Sequence, residues 1–236
     1  MNKRQEVSEE LKKLLYDNGA ALAGYADLTD IVPEGMAYGV SVGINIPPEI
    51  VRSIHNGPNM DYFNVYHTLN AKLDSLVTLG AEYLTVKGYK AYPQTTGNTK
   101  DDEDFRTWLP HKTVAVEAGL GWIGKSALLV TKQYGSAIRI SSLITNAELE
   151  CGSSVTMPGC GSCMLCTNAC PGGAITGRNW SPGAEREELF NPHACYKKAR
   201  ELAKKSIDKN ITLCGKCIEV CPYTQNYMLR NSLMTL

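Results

Sequence analysis

Cys160, Cys163, Cys166 and Cys170 stand in the string CGSCMLCTNACP, spaced C-x2-C-x2-C-x3-C-P. That spacing lets three thiolates curl around one face of a cubic 4Fe-4S cluster, with backbone amides turned toward sulfur. A second set follows: Cys195 alone, then Cys214, Cys217 and Cys221 in CGKCIEVCP. Together they offer eight thiolates, enough for two 4Fe-4S clusters. The fourth cysteine of such a run reaches the other cluster of a pair. The expected sets are therefore Cys160, Cys163, Cys166 with Cys221, and Cys170, Cys195, Cys214 with Cys217. Such a site moves single electrons.

Two other uses of cysteine compete. Zinc takes pairs of C-x2-C, and an unbroken triple with a trailing C-P is surplus to it. Disulfides suit an oxidising compartment, whereas MNKRQEVSEE is charged throughout and unlike a secretory leader, so a reducing cytoplasm is expected. Cys151 fits neither motif and reads as a plain thiol. Basic and acidic side chains number 24 each, which removes a general electrostatic case for nucleic acid or an anionic membrane. No apolar run approaches the roughly 20 residues of a spanning helix, so no membrane association is expected.

All nine cysteines lie beyond residue 150, and that asymmetry suggests two domains, 1–150 and 151–236. Over the first, a helix is expected from Ser8 to Asn18-Gly19, then strands at AALAGYA and YGVSVGINI. Val65, Leu69, Leu73, Leu76, Leu79 and Tyr83 recur at helical spacing, so a long helix should run from Asp61 to near Gly88. A strand at YKAYP, a polar connection NTKDDEDF and a short helix over HKTVAVEAGLG ending at Gly119 come next. SALLVT and SAIRISSLIT read as a hairpin joined across KQYGS. Interleaved strands and helices make this an α/β or α+β layered domain, expected as a mixed-sheet α/β domain within an α+β chain. A ferredoxin-like two-cluster module follows it, with a Lys-rich helix beginning near Cys195.

AGLGWIGKSALLVT, placed ahead of the cysteines, resembles the epoxyqueuosine reductase family and the related reductive dehalogenases. MDYFNVYHTLNAKLD, LPHKTVAVEAGLGW, NWSPGAEREEL and CGKCIEVCPY resemble short double-cluster members of that group, so the similarity covers nearly the whole chain. The resemblance implies a nitroreductase-like N-terminal fold that holds cobalamin, or another corrinoid, in base-off form. It also implies clusters that feed the corrinoid electrons, with a donor such as ferredoxin or flavodoxin. The absence of a D-x-H-x-x-G string, by which another cobalamin family supplies a His to cobalt, fits the base-off form.

Gly119, Gly121, Trp122, Gly124, Lys125 and Ser126 are the candidate cofactor-binding residues, because glycines let backbone approach a flat ring and Lys125 or Ser126 can bond its amides or phosphate. The competing reading is a glycine-rich turn packing two elements. Epoxyqueuosine reductases carry an acidic proton donor upstream of this string, where Phe105 stands here. Asp104, one position away, and His111 are the candidate proton donors. Arg139 reads as either surface or pocket-facing, and His55, His67 and His193 as structural.

The chain also ends soon after Cys221, where those reductases often continue into helical repeats. With zero net charge, this makes a tRNA partner doubtful and a small-molecule or corrinoid substrate expected. The reading is a corrinoid-dependent iron-sulfur oxidoreductase. Its alternatives are a non-enzymatic electron carrier or corrinoid-handling protein, and a flavin-dependent reductase.

Overall fold

The computed structural model of the chain describes residues 2–233. The first half runs α1 (Lys3–Asp17), β1 (Leu22–Asp27), β2 (Tyr38–Asn45), α2 (Pro48–Ser53), α3 (Met60–Val86), β3 (Ala91–Gln94) and α4 (His111–Glu117). After it come β4 (Trp122–Ile123), β5 (Leu129–Val130) and β6 (Ile138–Thr145). The cysteine-bearing part holds α5 (Leu165–Ala169), α6 (Arg186–Leu189), α7 (Pro192–Ile207), α8 (Lys216–Glu219) and α9 (Pro222–Leu233).

These elements form two compact units that interleave along the chain. One comprises residues 1–44, 69–121 and 139–155, the other 45–68, 122–138 and 156–236. A cut at 150/151, drawn where the cysteines begin, does not coincide with this division. Segments far upstream, α2 and the β4–β5 hairpin among them, group with the cysteine-rich part.

The first unit is built on a sheet of order β1-β2-β6-β3. Strands β1 and β2 pair antiparallel from Leu22↔Gly43 to Asp27↔Tyr38, and β3 pairs antiparallel with β6 from Ala91↔Thr145 to Gln94↔Ser142. Both faces are covered. On one, a Cβ at Gly39 would come within 2.7 Å of Val114 on α4, so only glycine lets that helix sit down on the sheet. Ala26, Leu28, Leu109, Val114, Ala118 and Ile144 pack there as one core cluster. On the other face Gly80 of α3 lies against Leu143 of β6 and Leu11 of α1.

Helix α1 starts more than a turn before the expected Ser8. The Asn2 side chain accepts the amide of Gln5 and caps it there, and Ser8 is buried within the helix, donating to the Arg4 carbonyl. Nor do SALLVT and SAIRISSLIT pair with each other. Strand β5 pairs with β4, Trp122↔Val130 and Ile123↔Leu129, while β6 lies between β2 and β3.

In the second unit α2 packs on α8 and α9. Gly215, at φ 83°, leads into α8, and a Cβ there would meet Ile54 at 2.5 Å and Tyr62 at 3.0 Å. Glu219 of α8 is buried, and it is held by Lys216 at 2.8 Å and His55 at 3.0 Å. His55 thus has a structural partner, and His67 packs edge-on against Phe63 and Tyr66.

Candidate functional site

The cysteines are delivered by short turns. Cys163 closes a turn on Cys160, its amide donating to the Cys160 carbonyl at 3.1 Å, and α5 then carries Cys166 and ends at Cys170. Ala174 donates its amide to the Cys170 sulfur at 3.3 Å. Cys195 sits in the first turn of α7, whose start is capped by Asn191 accepting from the Ala194 amide. Cys217 lies on α8, and Cys221 stands between α8 and Pro222 at the head of α9.

Electrostatics groups these thiols. Burial pushes the Cys166 thiol up, and Cys160, Cys221 and Cys163 add to the effect. Burial raises Cys195 to about 11, with Cys170 and Cys214 contributing. Cys214 is raised by burial and by Cys170, against a lowering bond from the Lys216 amide. Cys217 is driven up by burial, then by Cys214, Cys195, Cys166 and Cys170, so it stands where the two groups adjoin. Thiols crowded in low dielectric resist ionisation, and a cationic metal centre reverses that preference. Among the described residues no three Cys, His, Asp or Glu side chains converge closely enough to hold a single ion. Instead, Cys160, Cys163, Cys166, Cys217 and Cys221 ring a cavity.

The remaining wall of that cavity comes from the GWIGKS turn: Gly124, Lys125 and Ser126 line it with Val130, Pro222 and Tyr223. Trp122 donates its indole N–H to the Cys160 sulfur at 3.4 Å and packs edge-on against Tyr223. A Cβ at Gly124 would meet Val130 at 2.7 Å and the Cys160 sulfur at 3.6 Å. Lys125 is only 4% exposed, and its ammonium lies 3.5 Å from the Met164 sulfur. The turn proposed from sequence as a cofactor cradle therefore has four of its six residues, Trp122, Gly124, Lys125 and Ser126, among the thiols.

Gly119 and Gly121 belong to the other unit. Gly119, at φ 74°, closes α4, and a Cβ there would lie 2.7 Å from the Ser153 carbonyl oxygen. Backbone of Ser153 thus occupies the side-chain direction of Gly119.

The acid candidates separate. Asp104 is exposed on its loop, where its amide donates to the Asp102 carboxylate at 2.9 Å, and Phe105 beside it takes φ 59°. His111 begins α4 partly buried, with Nδ1 2.8 Å from the Ser142 hydroxyl. Burial lowers its pKa, Arg139 lowers it further and Asp74 opposes them, so the ring is held neutral at neutral pH. Arg139 points inward to Asn70 at 2.8 Å.

Sequence reading missed the partners of His111. Gln94 donates to the same Ser142 hydroxyl at 2.8 Å, while its own Oε1 is buried without a partner, as is the Ser41 hydroxyl. Ser41 shares the α4-covered face with Gly39 by strand alternation. Serines within apolar strands were the available signal.

Residues 159–224 match the family model of the 4Fe-4S double cluster binding domain. That match gives the chain a double-cluster iron-sulfur binding domain within a mixed α+β fold. More particularly, the chain is similar to epoxyqueuosine reductases. It is 32% identical to that of Listeria monocytogenes over half of this chain and 31% of that protein. To that of Lactococcus garvieae it is 38% identical over 48% of this chain and 31% of that protein. The chain thus spans about a third of the length of these curated relatives.

Among solved structures, a catabolic reductive dehalogenase in complex with 3-bromo-4-hydroxybenzoic acid superposes with TM-score 0.71 at 16% identity. That match covers 94% of this chain and 32% of that one. An epoxyqueuosine reductase with an epoxyqueuosine-modified tRNA stem loop gives TM-score 0.62 at 20% identity, over 94% of this chain and 66% of that one. Among the described residues no helix is long and apolar enough to cross a membrane.

Proposed function

We propose that this chain is an iron-sulfur oxidoreductase of the epoxyqueuosine reductase type, carrying single electrons through two 4Fe-4S clusters. Cys160, Cys163, Cys166 and Cys221 hold one cluster, and Cys170, Cys195, Cys214 and Cys217 hold the other. The observation that carries this reading is the grouping of the buried thiols. Cys166 feels Cys160, Cys221 and Cys163, and Cys195 feels Cys170 and Cys214. A soluble donor such as ferredoxin or flavodoxin supplies the electrons.

The acceptor in this proposal is a corrinoid bound base-off in a nitroreductase-like N-terminal fold, acting on a small-molecule substrate. When bound, the corrinoid supplies a reduced cobalt able to carry two-electron bond chemistry. The glycine-rich turn is a poor fit to it, since protein fills the space beside Gly119 and Lys125 faces thiols. A better fit is the nook of His111, Ser142 and Gln94, on the α4-covered face of the sheet that also carries Ser41. The unpartnered Gln94 Oε1 and Ser41 hydroxyl suit the carboxamides around a corrin ring. There His111 exchanges a hydrogen bond rather than donating a proton from an imidazolium. The small-substrate reading draws support from the basic helix α7, where Lys198 pairs with Glu201 and Lys204 with Asp208.

Absorbance and iron analysis of anaerobically reconstituted protein, before and after adding cobalamin, test the two parts separately. The expected result is about eight irons per chain and a cobalamin spectrum shifted to the base-off form. Failure to retain iron sinks the cluster reading. Loaded protein that leaves the cobalamin spectrum unchanged sinks the corrinoid part and favours an electron carrier, and a flavin spectrum favours a flavin-dependent reductase.

A further inference from the structure

Lys125 carries more than its place in a turn explains. A buried ammonium costs several kcal/mol unless an anion compensates it, and lysine is almost never fully buried without a partner. Here the side chain is 4% exposed, and among the described residues no carboxylate pairs with it. Its hydrogen-bonding neighbour is a thioether, Met164 Sδ at 3.5 Å, a weak acceptor that offers no charge. What does surround it is sulfur, because the cavity it lines is walled by Cys160, Cys163, Cys166 and Cys221, with Cys217 of the other set at its edge.

The chain holds Lys125 in that position. Ala127, two residues on, takes the left-handed φ of 58° and donates its amide to the Gly124 carbonyl at 2.8 Å. The β4–β5 pairing, Ile123↔Leu129, closes the loop around it. Trp122, from the same turn, donates to the Cys160 sulfur at 3.4 Å. One residue of this tight turn thus donates to a cysteine sulfur, and the other lines the same cavity with its ammonium on Met164.

We propose that Lys125 is the built-in counter-cation of the cluster held by Cys160, Cys163, Cys166 and Cys221, and that it sets the potential of that cluster above its value without the charge. The inference rests on the cluster reading given above. Four thiolates leave a 4Fe-4S cluster with net negative charge, and each added electron increases it. A fixed positive charge in low dielectric favours the reduced form, so reduction potential rises. Lys125 is a positioning and tuning residue in this account and takes no part in bond chemistry. Beside the second thiol group stands Lys216, whose charge acts on Cys214 but is already paired with the Glu219 carboxylate at 2.8 Å, so the second cluster is expected to keep its potential when Lys125 changes.

The test is a dithionite titration followed by electron paramagnetic resonance on reconstituted wild-type, Lys125→Met and Lys125→Arg proteins of measured iron content. Cys163→Ser identifies which signal belongs to the first cluster. Lys125→Met is expected to move the midpoint potential of that cluster alone to a more negative value, with Lys125→Arg retaining most of the wild-type value. Iron-loaded Lys125→Met with both midpoints unchanged overturns the proposal, as does an equal shift of both clusters. If Lys125→Met cannot hold iron, Lys125→Gln takes its place: loss of iron in Gln with retention in Arg is the result expected of a required cation. Equal iron and equal potentials in Gln and Arg overturn it. Cobalamin affinity that falls in Lys125→Met while the potentials stay fixed assigns the lysine to the corrinoid instead and also overturns it. Wild-type protein that binds no iron sinks the cluster reading itself, which keeps the two failures apart.

Discussion

The indole N–H of Trp122 points at the sulfur of Cys160, 3.4 Å away, and the ring is pinned on its other side by Gly159, where a Cβ would come within 2.5 Å of it. A hydrogen bond to a ligating sulfur stabilises the more negative, reduced cluster. Trp122→Phe keeps most of the packing and removes the donor. We expect full iron loading and a potential lowered for one cluster by about 1 kcal/mol of reduction free energy, roughly 40 mV for one electron. Redox titration checks this, and an unmoved potential would show that the contact is packing only.

Gly119 separates structure from cofactor binding. At φ 74°, with the Ser153 carbonyl oxygen 2.7 Å from where a Cβ would stand, alanine is strained in backbone and in space. The left-handed conformation costs about 1–2 kcal/mol, and overpacking against backbone adds about 1–3 kcal/mol. Gly119→Ala should therefore lower the denaturation midpoint of the protein while iron content stays at wild-type level. A variant of unchanged stability with lost cobalamin binding would restore the cofactor reading of this glycine.

Local features were legible in the sequence, and long-range ones were not. The stripe from Val65 to Tyr83 corresponds to α3, Met60–Val86, because helical periodicity is set by neighbours three and four residues away. The Gly119 cap followed from the same local logic. Strand partners were misjudged at KQYGS, since alternation says which side of a strand is apolar and nothing about which strand lies beside it. Thus β6 pairs with β3 from far upstream, and β5 turns back on β4. The burial of Lys125 carries no composition signal either. A lysine after a glycine reads as solvated until the chain returning through α8 and α9 brings Cys217, Cys221 and Tyr223 up to it.

His111 gives a pH dependence whose sign is fixed. Burial first, then Arg139, lowers its pKa below the ordinary 6.5, against the opposing Asp74. Below 6.5 the unfolded chain takes up this proton more readily than the folded one, so stability is full above 6.5 and declines as pH falls toward the lowered folded value. Denaturant titrations between about pH 7.5 and 5 should show that decline in wild-type protein. They should show less of it in His111→Gln, which cannot titrate. Equal slopes in the two proteins would assign the effect to other groups.

Cys151 is a control for the ligand sets. It lies in the α/β unit, its thiol is raised to about 11 chiefly by burial, and it donates to the Leu149 carbonyl at 3.4 Å. Cys151→Ser should leave iron unchanged, since a hydroxyl keeps that bond. Cys217→Ser should damage the cluster of Cys170, Cys195 and Cys214 preferentially. Iron loss in Cys151→Ser would overturn the assignment of ligands.

Substrate class turns on Asp104. Asp104 is exposed on a loop, beside Phe105 at φ 59°, rather than in the buried surroundings that raise a carboxyl toward the working range of a general acid. The basic helix α7 adds little for a polyanion, because Lys198 and Lys204 are paired with Glu201 and Asp208, and Arg200 bonds Asn210. Tight binding of tRNA needs several free cations on phosphate, and its affinity falls steeply with salt. The expectation is therefore weak, salt-sensitive binding of an epoxyqueuosine-bearing stem loop, little turnover, and no change on Asp104→Asn. Anaerobic assay of the reduced, cobalamin-supplemented protein decides it. Turnover of the stem loop at a rate abolished by Asp104→Asn would overturn the small-substrate reading and make this exposed loop the proton donor, closing onto the substrate as it binds.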